Sequence, residues 1–428
     1  MESKKTEYRA IETICAQADH PDKDPYGSHA MPLYQTSTFA FKDAESGRKF
    51  FAHEPGGATH SYSRLGNPTV EKAEQVIADL EGLDLEERTE GMLFGSGMAA
   101  ITTAFLALAS GKRILAQKAL YGCTSQFLQE QAGKMNIRVQ NVDPNTPDDI
   151  IQAFKKYKDI GLVYLESIAN PTMRVCNLEL ISEIAHEHGA LVMVDNTFAT
   201  PYHIRPMSWG ADLVAHSTTK YLNGHGTVVG GALAARKGFF EKHGIPVYRK
   251  NLGGISGPFD AWLTLMGIKT FPLRMKQHNL NGKAVADYLD RHPAVSRIWH
   301  TGLETHPDGE IIEKLMVNGY GAMIAFELKG GLDAGIQLMN RVELCTLAVS
   351  LGTVDSLIQH PASMTHSVVD PVIRGEAGIT DGLVRLSVGI ENASDIIADL
   401  NRALSSIKYQ KSVASDPENQ ESRLASAE

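Results

Sequence analysis

The sequence predicts an α/β protein: a mostly parallel sheet domain followed by a smaller C-terminal α+β domain. Three observations carry this. From about residue 71 onward, short apolar runs alternate with amphipathic helical patterns of about 10 to 15 residues, the pattern of strands covered on both faces by crossover helices. After about residue 270 that alternation gives way to a long helical pattern and more widely spaced apolar runs. The chain has 428 residues, 43% hydrophobic and 21% charged, which is ordinary globular composition and enough for two domains. The expected divisions are an extended N-terminal arm at 1–70, the α/β domain at 71–270, the α+β domain at 271–409, and a polar tail at 410–428 whose composition predicts disorder.

The elements follow in order. The arm is rich in turn formers, with short runs such as MPLYQTSTFAF. PTVEKAEQVIADLEGL opens on Pro68 and repeats apolar residues at helical spacing. EGMLFGSG reads as a strand ending in glycines and MAAITTAFLALAS as the helix after it. Strand KRILAQ, helix YGCTSQFLQEQAGKM, strand IRVQNVD, helix PDDIIQAFKKY and strand IGLVYLES continue the alternation. Helix NLELISEIAHEHG and strands ALVMVDNT, ADLVAHST and VVGGALAA complete it. In the second domain a long helix, RMKQHNLNGKAVADYLDRHP, precedes strands in VSRIWH, GAMIAFELKG, CTLAVSLG and GLVRLSVGI, and helices in GLDAGIQLMNRV and ASDIIADLNRALSSI.

Bulk properties narrow the function. Lys+Arg 41 against Asp+Glu 50 gives a formal net charge of -9, and no basic run offers a footprint for nucleic acid or an anionic membrane. No apolar stretch approaches the roughly 18 residues of a spanning helix. MESKKTEYRAIET lacks an apolar signal core. The four cysteines, Cys15, Cys123, Cys176 and Cys345, form no CxxC pair, which argues against a disulfide framework or a structural zinc site and suits a reducing, cytoplasmic setting. His216, His225 and the pair His186 and His188 lack a ligand set at a known metal spacing, so no metal is expected.

In a doubly wound sheet, ligands bind at the carboxyl ends of the strands. FGSGM places Gly97 and Met98 at a strand-to-helix turn, where N–H groups and the helix dipole favour an anion. LES and the residues after it supply Glu166, Ser167 and Asn170. VDNT ends in Asp195 and Asn196, and AHSTTK brings Ser217, Thr219 and Lys220. Taken singly, these read as a turn, a helix cap and a surface lysine. Taken in this order, they match the needs of pyridoxal phosphate. That cofactor requires an amine for the Schiff base, a carboxylate to keep the pyridine nitrogen protonated, and hydroxyls with a helix N-terminus for the phosphate.

The motifs YQTSTFAF, YSRLGNPT, GSGMAAI, LYGCT, ESIANPT, VDNTFATP, ADLVAHSTTKYLNGHG, GIKT, HPASMTH and GLVRLSVGIE run in order over about residues 30–405. Through them the chain resembles the Cys/Met-metabolism family of pyridoxal 5'-phosphate enzymes, and within it the methionine γ-lyases, chiefly through Cys123. The resemblance implies a fold type I (aspartate aminotransferase-like) transferase architecture, with 71–270 binding the cofactor and the arm making inter-subunit contacts. It implies Lys220 as the Schiff-base lysine and proton carrier, and Asp195 as partner of the pyridinium nitrogen. Ser217, Thr219 and the backbone of Gly97 and Met98 are implied around the phosphate. Tyr121 is implied to stack on the ring and act as general acid, beside a catalytic Cys123. Asn170, Arg385 and Ser350 are implied at the substrate, and Tyr62 and Arg64 at the phosphate of a neighbouring subunit. On the residues alone, Arg385 also reads as a surface ion-pair residue, Tyr62 and Arg64 as loop residues, and Cys123 as a small buried side chain.

The implied reaction is γ-elimination on a small amino-acid substrate, methionine giving methanethiol, 2-oxobutanoate and ammonia, in a homotetramer built from two dimers with shared active sites. γ-Replacement, another substrate such as canavanine, cystathionine or O-acetylhomoserine, and a cofactor-free binding scaffold stand as alternatives. One departure bears on the leaving group: where methionine γ-lyases are expected to carry a Lys-Asp pair, RKNLGGISGP has Lys250 followed by Asn251.

Overall fold

The computed structural model describes residues 10–21, 24–365, 367, 371–376 and 378–407. The tail expected at 410–428 lies outside them. Seven strands build the first sheet: β1 (Thr89–Phe94), β2 (Arg113–Gln117), β3 (Arg138–Val142), β4 (Ile160–Glu166), β5 (Leu191–Asp195), β6 (Leu213–His216) and β7 (Gly231–Arg236). Their order is β1-β7-β6-β5-β4-β2-β3. β2 to β6 run parallel, and β7 is antiparallel to both of its neighbours. Strand residues split between the two faces as the pleat demands. Leu115, Val163, Leu165, Val192, Val194 and Val214 enter one apolar cluster. Ile114, Leu162, Tyr164, Met193, Leu213 and Ala215 enter another on the opposite face. All seven residues of β4 are buried, so its apolar run needs no alternation.

Local chemistry sets the helix starts. Asn67 caps the helix Pro68–Glu81 by accepting from Thr69 N, with Pro68 at its first position. Ser96 caps Gly97–Ala109 by accepting from Ala99 N at 3.0 Å. The chain can pass this closely only with glycine: a Cβ on Gly231 would sit 2.3 Å from the Ser96 carbonyl oxygen, and one on Gly97 3.0 Å from the Ser217 Cβ.

The second sheet comprises β8 (Val295–Trp299), β9 (Met323–Leu328), β10 (Thr346–Leu347), β11 (Leu357–Gln359) and β12 (Leu383–Ser387), ordered β10-β11-β12-β9-β8. Its core joins Ile324, Phe326, Val384 and Leu386 to the helices Phe271–Asp290 and Ala393–Ser405 through Val285, Leu289, Ile396 and Leu400.

Several elements differ from the sequence expectation. The helix expected across YGCTSQFLQEQAGKM ends at Glu130 and resumes as a 3₁₀ turn, Ala132–Met135. CTLAVSLG yields only the two-residue β10, because the chain then leaves the sheet to reach the cavity. Helices Ile245–Leu252 and Pro258–Lys269 have no counterpart in the sequence expectation. The second is apolar on most of its circumference, so it shows little helical periodicity.

Phe105 is fully buried and meets Tyr164 edge-on, with ring centroids 4.9 Å apart. Phe105→Ala should therefore cost about 3–5 kcal/mol, read as an earlier urea unfolding midpoint; an unchanged midpoint would contradict this packing.

Candidate active site

The carboxyl ends of the parallel strands lie level. Glu166, the last residue of β4, pairs in register with Asp195, the last of β5, and Asp195 with Ala215 of β6. Above these ends opens a cavity of about 230 Å³. Its floor holds Glu166, Asp195, Ser217, Thr219 and Lys220; the start of the helix Gly97–Ala109 forms one wall, and Val349, Leu351 and Arg385 close it from the second sheet's side.

Asp195 Oδ1 accepts from Thr197 N at 3.0 Å and Thr197 Oγ1 at 2.6 Å. Thr197 Oγ1 in turn accepts from Ser217 N at 2.8 Å, tying the ends of β5 and β6 together. Burial raises the Asp195 carboxyl above the usual carboxylate range, against these hydrogen bonds. Glu166 is pushed up to about 8 by burial and then by the charge of Asp195.

Lys220 Nζ donates to Ser350 Oγ at 2.9 Å. Burial, with the nearby Arg385 charge, lowers its amine to about 8. The backbone after it is gripped by Arg274, whose guanidinium donates to the carbonyls of Tyr221 and Gly267, both at 2.8 Å. Arg385 is buried, donates to Asn170 Oδ1 at 3.2 Å and the Ser350 carbonyl at 3.0 Å, and has no ion-pair partner among the described residues. Burial brings it down to about 10. The Tyr121 phenol is held up at about 12 by burial and by the adjacent Cys123 thiol.

At the helix start, the N–H groups of Gly97 and Met98 have no intrahelical acceptor. Thr219 Oγ1 accepts from Gly230 N at 2.9 Å and donates to its carbonyl at 3.2 Å, closing the loop before β7.

Of the sequence-expected residues, the structure brings together Gly97, Met98, Tyr121, Asn170, Asp195, Ser217, Thr219, Lys220 and Arg385 around the cavity, with Ser350 bonded to Lys220. Tyr62 and Arg64 do not line it. Arg64 Nη1 donates to the Lys250 carbonyl at 2.7 Å and its guanidinium lies 5.5 Å from the Tyr62 ring centroid. Cys123 is exposed, not buried, and does not line the cavity either. Asn251 is exposed in the last turn of Ile245–Leu252. The histidines have other partners: His216 Nε2 lies 2.6 Å from Glu81 Oε1, and His186 Nε2 2.9 Å from Asp212. Sequence reasoning gives no role to Thr197, Glu166 or Arg274. Thr197 is signalled by its place two residues after Asp195, the spacing of a side-chain turn. Arg274 carries no signal, because its partners are backbone carbonyls and the Thr270 hydroxyl one helical turn before it.

The arrangement offers an amine for imine formation, a carboxylate facing it from the neighbouring strand, unpaired N–H groups for an anion, and a guanidinium lacking a counter-ion. Only the neutral amine is nucleophilic, so the rate at which the apoprotein captures pyridoxal phosphate should rise with pH through about 8 and then level off. Stopped-flow absorbance would read this; an inflection at the ordinary lysine value of about 10.4 would contradict the site.

Comparison with known proteins places these residues in context. The family profile described as Cys/Met metabolism PLP-dependent enzyme matches residues 12–405. An L-methionine gamma-lyase of Fusobacterium nucleatum is 46% identical over 387 residues, covering 90% of this chain and 95% of the relative. A cystathionine beta-lyase of Lactococcus lactis is 39% identical over 378 residues, covering 88% and 94%. The crystal structure of cystathionine gamma synthase from Xanthomonas oryzae pv. oryzae, in complex with aminoacrylate and cysteine, superposes with a TM-score of 0.85 at 36% identity, covering 92% of this chain and 98% of that one.

Proposed function

The chain belongs to the Cys/Met-metabolism family of pyridoxal-phosphate-dependent enzymes, and from that premise we propose that it is a carbon–sulfur lyase acting by γ-elimination, with L-methionine and water as substrates and methanethiol, 2-oxobutanoate and ammonia as products. The observation that carries the reading is the Lys220 amine, which donates to Ser350 Oγ in the cavity that it lines together with Asp195 and Arg385.

The residues present fit the cofactor. Asp195, fixed by Thr197, suits a pyridinium N–H. Gly97 and Met98 with Ser217 and Thr219 suit its phosphate, in a cradle that a side chain at Gly97 would crowd. Bound through Lys220, pyridoxal phosphate supplies an electron sink for the pair left when the Cα proton departs.

The chain's own groups do the rest. Arg385 receives the substrate carboxylate as a two-pronged donor, oriented by Asn170 and the Ser350 carbonyl. Lys220 Nζ, which donates to Ser350 Oγ, takes up the Cα proton; a second proton then leaves Cβ, and the electron pair it leaves behind releases the γ-substituent. Tyr121, protonated throughout the physiological range, delivers a proton to the departing γ-substituent, with Cys123 beside its hydroxyl. Tyr62 and Arg64 stand outside their own chain's cavity, which accords with a role toward a second copy in a tetramer built from two dimers. Among the described residues the four cysteines are free thiols and no helix is long and apolar enough to cross a membrane; we place the enzyme in the cytoplasm.

A second reading rests on Asn251. It lacks the acid expected after Lys250, which weakens the case for methionine as the preferred substrate and leaves room for a γ-substituent linked through oxygen, as in canavanine or O-acetylhomoserine.

The deciding experiment offers the holoenzyme methionine, homocysteine, cystathionine, O-acetylhomoserine and canavanine, following 2-oxobutanoate and ammonia, with homoserine followed for canavanine. Fast methionine turnover supports the first reading; slow methionine beside a fast oxygen-linked substrate supports the second. Lys220→Ala should abolish turnover, and Arg385→Lys should raise KM about tenfold or more by losing the paired donors. Wild-type kinetics in either variant would overturn the assignment.

A further inference from the structure

Glu166 lines the cavity yet has no part in the chemistry described above. It is only 5% exposed, and its two carboxylate oxygens are used separately. Oε1 accepts from the backbone N–H of Tyr121 at 2.6 Å, and Oε2 from the backbone N–H of Asn170 at 2.9 Å. Tyr121 stands at the end of the loop leaving β2; Asn170 stands in the loop leaving β4. No strand pairing reaches either residue. Gln117, the last residue of β2, braces the same corner: its Oε1 accepts from Glu166 N at 3.1 Å and its Nε2 donates to the Ala119 carbonyl at 2.8 Å. The chain of contacts continues outward, because Asn170 Oδ1 accepts from Arg385.

We propose that Glu166 is a positioning residue. Its carboxylate clamps the backbone of Tyr121 with one oxygen and of Asn170 with the other, so that the phenol, the amide and, through the amide, the Arg385 guanidinium are held as one unit. An acid suits such a clamp in either form: ionised, both oxygens accept, and protonated below about pH 8, its O–H oxygen still offers a lone pair, whereas an amide nitrogen offers none and must set its NH₂ against one of the two N–H groups. Retaining an acid here has an electrostatic cost, since Asp195 stands beside it in register at the end of β5. That cost explains why burial and Asp195 push its carboxyl up. The inference rests on the γ-elimination reading for the roles of Tyr121 and Arg385, but not for the clamp itself.

The test uses holoenzyme with rates counted per bound cofactor, in a cycle of Glu166→Gln and Tyr121→Phe. Glu166→Gln should load cofactor as the wild type does and lower kcat about tenfold or more, because a displaced acid misses its proton transfer. In the Tyr121→Phe background the same change should lower kcat less than about threefold, the non-additivity of residues acting through one another. Equal losses in both backgrounds, no loss, or a change confined to KM would overturn the proposal. Hydrogen–deuterium exchange gives a readout independent of turnover: in Glu166→Gln, peptides spanning Tyr121 and Asn170 should both exchange faster. If the wild type turns over no γ-substituted amino acid, the functional reading fails, while faster exchange at both segments still upholds the clamp. Unchanged exchange there overturns it. Glu166→Asp, which withdraws both oxygens by about one bond length, serves in the same assays if Glu166→Gln does not fold.

Discussion

Everything at the cavity depends on one constraint: the parallel strands β4, β5 and β6 end level. Parallel pairing in unbroken register places Glu166, Asp195 and the residues after His216 side by side at one edge of the sheet. Two carboxylates are thereby buried next to each other, an arrangement that desolvation and like charge both oppose. The fold tolerates it because each acid is met by its own donors, Thr197 for Asp195 and two backbone N–H groups for Glu166. The residual electrostatic demand is for cations. Lys220 from the loop after β6 and Arg385 from β12 line the same cavity.

That demand links the two sheets. Lys220 bonds Ser350, and Arg385 bonds both Asn170 and the Ser350 carbonyl, so polar contacts cross from one sheet's loops to the other's at the point where the substrate would lie. The amine and the guanidinium share this space, and the guanidinium lowers the amine's affinity for protons. Burial makes such a pair of cations costly, and the hydrogen bonds to Ser350 and Asn170 offset that cost only in part. The pair becomes favourable when a carboxylate arrives from solution.

The alternation of strands and helices through VVGGALAA was legible because buried parallel strands are apolar and short, and because Pro68 and the helical spacing of apolar residues mark the helices between them. The level strand ends were legible too, since each strand stops at a polar residue: Glu166, Asp195, His216. What the sequence hid was tertiary. Pro258–Lys269 is covered on most sides, so its periodicity vanishes. Arg274 binds carbonyls that any residue would carry. Arg385 sits inside a strand pattern, VRLSV, whose burial identifies it as a core position; only a family resemblance marked it as a ligand-binding group. The β7 reversal was invisible, because an antiparallel strand between parallel ones has the same composition as its neighbours. Tyr62 and Arg64 show the limit of a single chain, since the cavity they are expected to serve is not their own.

The first helix of the chain carries a consequence of its own. Ile11–Ala16 is six residues long and lies where Pro68–Glu81, Pro258–Lys269 and Phe271–Asp290 converge. Cys15 is fully buried there, and burial pushes its thiol up to about 12, so it stands near Arg274 as a neutral side chain. Nearby, Lys269 donates to the buried Asp19 at 2.7 Å. This short segment is therefore a wedge behind the guanidinium that grips the backbone following Lys220. Its removal would admit water beside Arg274 and give the carbonyls of Tyr221 and Leu222 other partners. Ile11–Ala16, remote in sequence from Lys220, thus backs the helix whose Arg274 holds the backbone just after that lysine.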